Sequence, residues 1–515
     1  MSNSGDLALR QGRFADVVDR VRRLGVGSRP RSAKMLRRRL DPDGRVVILG
    51  AGPTGLGAAH RLRELGHDRF AIFDRATQVG GLAASFVDPR GFTWDIGGHI
   101  QVSHYPYFDE LLRVALPGQW LQHQRDGQVF FDGELMPYPF QVNIDRLAPE
   151  TRWRCISGLL ARGAADRAPT DFADWMHQRF GEGICDAFMR PFNEKAWAWP
   201  LEQMDYRWIR TWASAKDGSL AAVPDLETTL AAVLRPGGSG AVLRGNANEG
   251  TFPFPVRGGT GAIWNAIADR IGRDRVHLGR QATRVDARAR VVEFADGSSE
   301  PYDVLVSTIP LDQLVALAEQ SHLVPHAERL CHAAVYVVGV GIVGPTPERL
   351  RGRCWIYFPD RDVPFHRATV FSNYAPANVP VGGEFWSVMT ETSASPHKPV
   401  DGKALIEATC QALRRVGFVD GGHEIASRWL HFSDYGYPIP TLGRDEALAR
   451  IHPELARLGI YSRGRFGGWK YEVSNQDQGV MQGVELIDRL LLGAHEVTYW
   501  FPHVANDPAY YATGE

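Results

Sequence analysis

Cysteine is scarce. There are five in 515 residues, at Cys155, Cys185, Cys331, Cys354 and Cys410. No two stand at C-x-x-C spacing and the count is odd, which argues against a disulfide framework or a structural zinc site; no metal is expected, and a reducing cytoplasm is the natural compartment. Long apolar runs are missing too: the longest, 333–343, is too short to span a bilayer, and no secretory apolar region follows Met1. An excess of charge of one sign is also missing. Lys and Arg total 58, Asp and Glu 59, a formal net charge of -1. Nothing therefore points to nucleic acid or a lipid surface, and any anionic ligand must be held by local arginines. Tandem repeats and long low-complexity tracts are absent.

What remains is an ordinary globular composition, 44% apolar and 23% charged. The length exceeds one compact core, so two or three packed domains are expected. Residues 1–43 stand apart. The stretch 20–39 holds eight arginines and one lysine among Gly, Ser and Pro. It reads as a solvated, flexible arm or a partner-docking arm. Asp6, Asp16 and Asp19 speak against an organellar presequence.

The chemistry begins at residue 45. RVVIL at 45–49 is a strand pattern; Gly50, Gly52 and Gly55 form G-x-G-x-x-G; 56–65 has helical apolar spacing; FAIFD at 70–74 is a second strand ending in Asp74. That order opens a doubly wound domain. Gly50 permits the tight turn, Gly52 lets backbone approach a pyrophosphate, Gly55 lets helix and strand pack, and the helix N-terminus faces the phosphates. Asp74 is placed to accept ribose hydroxyls, and an acid there disfavours a 2′-phosphate. Gly80-Gly81-Leu82 and Asp95-Ile96-Gly97-Gly98-His99 follow. Either Gly-Gly alone would be a loop turn. Together with the fingerprint they favour FAD over NAD, since paired glycines let backbone lie against a flavin. This arrangement resembles the amine-oxidase-like FAD proteins.

Further on, 146–245 reads as mostly helical. RGGTG at 257–261 precedes another helix, and a strand at 303–307 returns to the nucleotide-binding sheet. Strand patterns recur at 335–343, 355–358, 368–372 and 385–390, as in a mainly antiparallel sheet. A Gly-rich loop at 463–477 leads into a helix over 479–491. The expected fold is α/β: a doubly wound, Rossmann-like FAD-binding domain with a helical domain and a mainly antiparallel β-sheet domain. The expected boundaries are 1–43 for the arm and 44–137, 251–330 and 459–515 for the FAD-binding domain. The helical substrate domain takes 138–250 and the β-sheet substrate domain 331–458.

From about residue 45 to 500 the chain resembles the UDP-galactopyranose mutases, in their longer eukaryotic-type branch. The resemblance rests on GGHIQVSHYPYFDELL from Gly97, MPYPFQVNI from Met136, FMRPFNEKAWAWP from Phe188, FPVRGGTGAIW from Phe254, CWIYFPD from Cys354, FHRATVFSNYAP from Phe365, YGYPIPTL from Tyr435 and SRGRFGGWKYEVSNQD from Ser462. It implies a redox-neutral exchange of pyranose and furanose rings on a UDP-galactopyranose-like nucleotide sugar. In such mutases N5 of reduced FAD attacks the anomeric carbon, the nucleoside diphosphate leaves and later returns. NADPH or NADH would prime the flavin. Self-association is left open.

The same resemblance implies the site. Arg367 would face the leaving diphosphate with Tyr357, Tyr437, Tyr471 and Asn475; a guanidinium suits that charge. His99 would sit beside the flavin. Gly50, Gly52, Pro53, Thr54, Gly55, Asp74, Arg75, Gly81, Leu82, Gly97, Gly98, Ala282, Arg465 and Gln476 would hold FAD, with Arg125 near it. Tyr138, Phe140, Gln141, Met189, Asn193 and Trp197 would form the base pocket, by stacking and amide recognition. Trp355 would lie on the sugar side. Two positions depart from the family. Trp212 stands where a second diphosphate-binding arginine is expected, and Glu249, with Asn248 beside it, where an asparagine is expected. A carboxylate near a diphosphate is repulsive unless a cation intervenes. These departures bear on the substrate more than on the fold. The alternatives are a conventional FAD oxidoreductase of the amine-oxidase-like class or a non-catalytic flavin or nucleotide-sugar binder.

Overall fold

The computed structural model describes residues 40, 41, 43–162, 167–212 and 250–507, with the side chains of 210–212 outside the description. Nearly all of the basic arm, and both Asn248 and Glu249, lie outside the described residues.

Four short runs, VVIL, FAIF, VLVS and IYS, are buried along their whole length, as strands of a sheet covered on both faces must be. With Val276–His277 they make a five-stranded sheet in the order Ile460–Ser462, Val304–Ser307, Val46–Leu49, Phe70–Phe73, Val276–His277, parallel throughout. The helix Pro53–Glu64 leaves the first strand with Pro at its start and no side-chain cap. Its entry turn depends on two glycines. Gly50 has φ +106, and a Cβ on Gly55 would lie 1.9 Å from the Gly50 carbonyl oxygen.

This helix crosses the last long helix, Gln476–Leu492, backbone against backbone. A Cβ on Gly483 would stand 2.2 Å from Thr54 O, and one on Gly57 would stand 2.8 Å from Val480 O. The crossing brings the N-termini of both helices to one place, at the carboxyl ends of the parallel strands.

The second sheet has seven strands: Ile425–Pro438, His332–Val343, Phe385–Ala394, Arg367–Thr369, Trp355–Tyr357, Gly127–Phe131 and Glu134–Pro137. Every neighbouring pair is antiparallel except Trp355–Tyr357 with Gly127–Phe131. Residues 127–137 pair with this sheet, as a hairpin, and not with the parallel one. Its hairpin turns at Asp132 and Gly133, both at positive φ. Gly339 and Gly341, on one face of the strand His332–Val343, make room for Trp94 and Phe92, whose rings a Cβ would meet at 2.6 and 2.5 Å. Those aromatics belong to the hairpin Ser85–Val87 and Thr93–Asp95. They pin the loop that follows, Gly97-Gly98-His99, onto the second sheet.

Between the sheets in sequence lie the helices Pro149–Ala161, Phe172–Ile184, Arg190–Trp197 and Arg207–Trp212, with a π-helical turn at Cys185–Met189. Asp171 caps the second through a bond from Asp174 N, 2.9 Å. Their core is aromatic and sulfur-rich, with Phe140, Phe172, Phe180, Phe188, Met176 and Met189 buried together.

Candidate active site

A cavity of about 1030 Å³ is walled by both sheets, the helices and the N-termini of the two crossing helices. At one end stand Gly50, Gly52, Pro53, Thr54, Asp74, Arg75, Gly81, Leu82 and Ala282. Asp74 is fixed by two backbone donors, Ala51 N at 2.7 Å and Ala76 N at 2.8 Å, one on each oxygen. A carboxylate offers about four acceptor positions, so each oxygen keeps room for a ribose hydroxyl. Gly81, at φ +54, faces Gly52 so closely that its Cβ would lie 3.3 Å from the Gly52 Cα. Bare backbone at an uncapped helix start is a cradle for a pyrophosphate. Arg280, its guanidinium over the rings of Phe73 and Phe294, borders the same end. These residues fit a flavin dinucleotide.

In the middle, Gly98 N donates to Glu391 Oε1 at 3.0 Å, and a Cβ on Gly98 would lie 2.1 Å from Thr369 Oγ1. The loop therefore lies directly on the second sheet and delivers His99 to the cavity wall. The His99 Nδ1 is buried without a hydrogen-bond partner. Burial pushes its pKa down to about 4; nearby Glu391 opposes this, and Arg367 and Arg465 reinforce it. The ring is neutral at ordinary pH. Asn475 and Gln476, at the start of the helix Gln476–Leu492, line the same cavity.

Arg367 is directly opposite Glu391 in the strand register. Its Nε and Nη2 donate to the two Glu391 oxygens at 2.6 and 2.7 Å, and Tyr437 Oη donates to Glu391 Oε2 at 3.1 Å. Burial would raise the Glu391 carboxyl, but the Arg367 charge and its hydrogen bonds outweigh this and hold it at about 2. The Arg367 guanidinium is correspondingly held well above its usual pKa, the carboxylate overriding burial. Arg465 donates to Gly436 O at 3.2 Å and Ser474 Oγ at 3.1 Å, and lies over the rings of Tyr437 and Tyr471 at 5.3 and 5.4 Å. Tyr357 joins through Tyr138, their ring centroids 4.9 Å apart.

The far end is aromatic. Trp197 meets Tyr471 edge-on at 4.7 Å, and Trp175, Trp208, Met176, Met189 and Phe192 extend the wall. Asn193 lies among them, its amide nitrogen bonded to Met189 O at 2.8 Å. Trp355 lines the cavity with its indole N–H buried and unpartnered.

Some expected residues stand elsewhere. Phe140 and Gln141 do not border the cavity. The Phe140 ring stacks on Phe188 at 4.9 Å and is fully buried in the helical core. Arg125 is not on the wall either. Gly55 and Gly97 act behind it, as packing and turn residues. The Trp212 side chain is outside the described residues. Sequence reasoning missed Glu391, His366, Thr308, Trp175 and Trp208, all on the wall. For Glu391 the available signal was a carboxylate in the apolar, β-branched run at 385–394, where a charge needs a partner.

Residues 53–461 match the flavin containing amine oxidoreductase family. A crystal structure of reduced UDP-galactopyranose mutase is 40% identical, covering 90% of this chain and 97% of that one, with a TM-score of 0.83. The chain belongs to the UDP-galactopyranose mutase family. As a mutase-family member it is a flavin enzyme with FAD as the supported cofactor. A putative protoporphyrinogen oxidase from Exiguobacterium sp. 255-15 shares the fold at 18% identity and a TM-score of 0.66, over 88% of this chain and 100% of that one. A zeta-carotene desaturase from Arabidopsis thaliana is 36% identical over 72 residues, 14% of this chain; the match spans only 13% of that curated relative. Among the described residues, no helix is long and apolar enough to cross a membrane.

Proposed function

We propose that this family member is a redox-neutral nucleotide-sugar mutase that interconverts pyranose and furanose rings of a UDP-galactopyranose-like substrate. The observation that carries the reading is the cation-and-phenol cluster of Arg367, Arg465, Tyr357, Tyr437 and Tyr471. It lies between a dinucleotide cradle and an aromatic pocket. Reduced FAD, when bound, supplies a nucleophilic ring nitrogen for the anomeric carbon, with NADPH or NADH priming it.

The protein's own groups do the rest. The aromatic end takes the base, with Trp197, Tyr138, Met189 and Asn193 on its walls. Arg367 faces the diphosphate with the donors that Glu391 leaves unused, and it gains most where negative charge develops on the departing oxygen. Tyr357, Tyr437 and Tyr471 would donate beside it. Neutral His99 can hold or hand on a proton near the sugar without adding charge.

The test is conversion of UDP-galactopyranose by the FAD-loaded protein before and after dithionite or nicotinamide reduction. The expected result is turnover only after reduction, with reductant consumed once. Full turnover by strictly oxidised protein under oxygen, or reductant consumed with every product, overturns it.

A further inference from the structure

His366 is a residue on the cavity wall whose chemistry is unspent. It is only 4% exposed, and its Nδ1 is buried without a hydrogen-bond partner. It immediately precedes Arg367 at the start of the strand Arg367–Thr369. The imidazole lies edge-on to Phe192 at 6.4 Å and to Tyr437 at 6.3 Å, both cavity walls. The ring, and not just the backbone, therefore faces the cavity, on the side of the aromatic pocket.

Its protonation state follows from its surroundings. Burial drives the ring pKa down to about 3; Glu391 pulls it up, and Arg367, Lys398 and Lys195 push it down further. The ring is neutral and carries one N–H. An orphaned buried N–H is rarer in proteins than an orphaned acceptor, so the proton belongs on Nε2, the nitrogen left for a ligand, and the bare lone pair on buried Nδ1. His366 thus offers a fixed neutral donor beside Arg367.

The neighbouring arginine shows why such a donor is needed. Two of the N–H groups of Arg367 are committed to Glu391, and their opposite charges largely cancel. We propose that His366 is a specificity-determining contact, donating from Nε2 to a phosphate oxygen of a nucleoside diphosphate held by Arg367. This rests on the nucleotide-sugar reading above.

The experiment titrates FAD-loaded wild type, His366→Leu and His366→Gln with UDP and with uridine by calorimetry. Loss of one hydrogen bond to a charged phosphate should weaken UDP roughly ten- to a hundredfold in His366→Leu while uridine affinity stays within about twofold. His366→Gln, which retains an N–H, should recover part of the loss. In the wild type, the His366 Nε2 nitrogen and its proton should shift on addition of UDP but not of uridine, a readout that needs no variant to fold. Unchanged UDP affinity, an equal loss for uridine, or no shift at His366 in UDP-bound wild type overturns this proposal alone. Wild type that binds no UDP at all overturns the nucleotide-sugar reading with it.

Discussion

Arg367 and Glu391 face each other across adjacent antiparallel strands and share two hydrogen bonds of 2.6 and 2.7 Å inside the cavity wall. Removing either partner strands the other's charge, which costs about 3–5 kcal/mol of stability at a buried pair. Arg367→Ala should therefore lower stability and also cut turnover by roughly a hundredfold or more, the loss of a transition-state donor. Arg367→Lys should recover part of the rate only, because a point charge cannot serve two oxygens at once. The double variant Arg367→Met, Glu391→Met should regain stability but not activity. Denaturant unfolding and turnover, measured together, check this; a double variant as active as wild type would show that the pair is structural alone.

Asp74 should control cofactor retention. Asp74→Ala removes the acceptor for ribose hydroxyls and also frees the Ala51 and Ala76 amides that it anchors. FAD affinity should fall by tenfold or more, since a hydrogen bond to a charged group is worth about 1.5–3 kcal/mol. The fluorescence of released flavin measures it. Asp74→Asn should fall between.

Glu485 lies away from the cavity and predicts a pH effect. Burial raises its carboxyl to about 8, against 4.5 for the ordinary group, although Thr498 donates to both oxygens at 2.8 Å. The folded state keeps the proton where the unfolded state has lost it. Its stabilising contribution is therefore complete below about pH 4.5 and declines as pH rises toward 8. The Glu485→Gln variant should gain on wild type across that window, by on the order of 1 kcal/mol per pH unit. Parallel stability profiles for the two proteins would contradict it.

Trp212→Arg tests substrate choice. If the site already serves a UDP-hexose without a second arginine, with donors such as His366, the substitution should leave activity unchanged or hinder binding. If Trp212 marks a different substrate, activity on UDP-galactose should rise relative to the native compound. Turnover on a panel of nucleotide sugars decides between them.

The dinucleotide end was legible because its information is local. Gly50, Gly52, Gly55 and Asp74 lie within one strand–helix–strand unit, and the spacing alone dictates the geometry. The Arg367 partner was not legible, because Glu391 becomes its neighbour only through strand register, across 24 positions. The hairpin 127–137 carried a readable Asp-Gly turn, yet its parallel partner Trp355–Tyr357 lies more than two hundred residues away. Phe140 poses the opposite problem. A motif can nominate an aromatic, but whether its ring meets a ligand or Phe188 depends on the packing of helices that the motif does not contain.

The crossing of the first and last long helices sets an order of assembly. Thr54 and Gly483 touch through backbone, so the early-synthesised turn at Gly50–Gly55 remains open on one side until residues 476–492 have left the ribosome. Flavin capture is then a late event in biogenesis. A nascent chain arrested before residue 476 would still have its cofactor site unlatched.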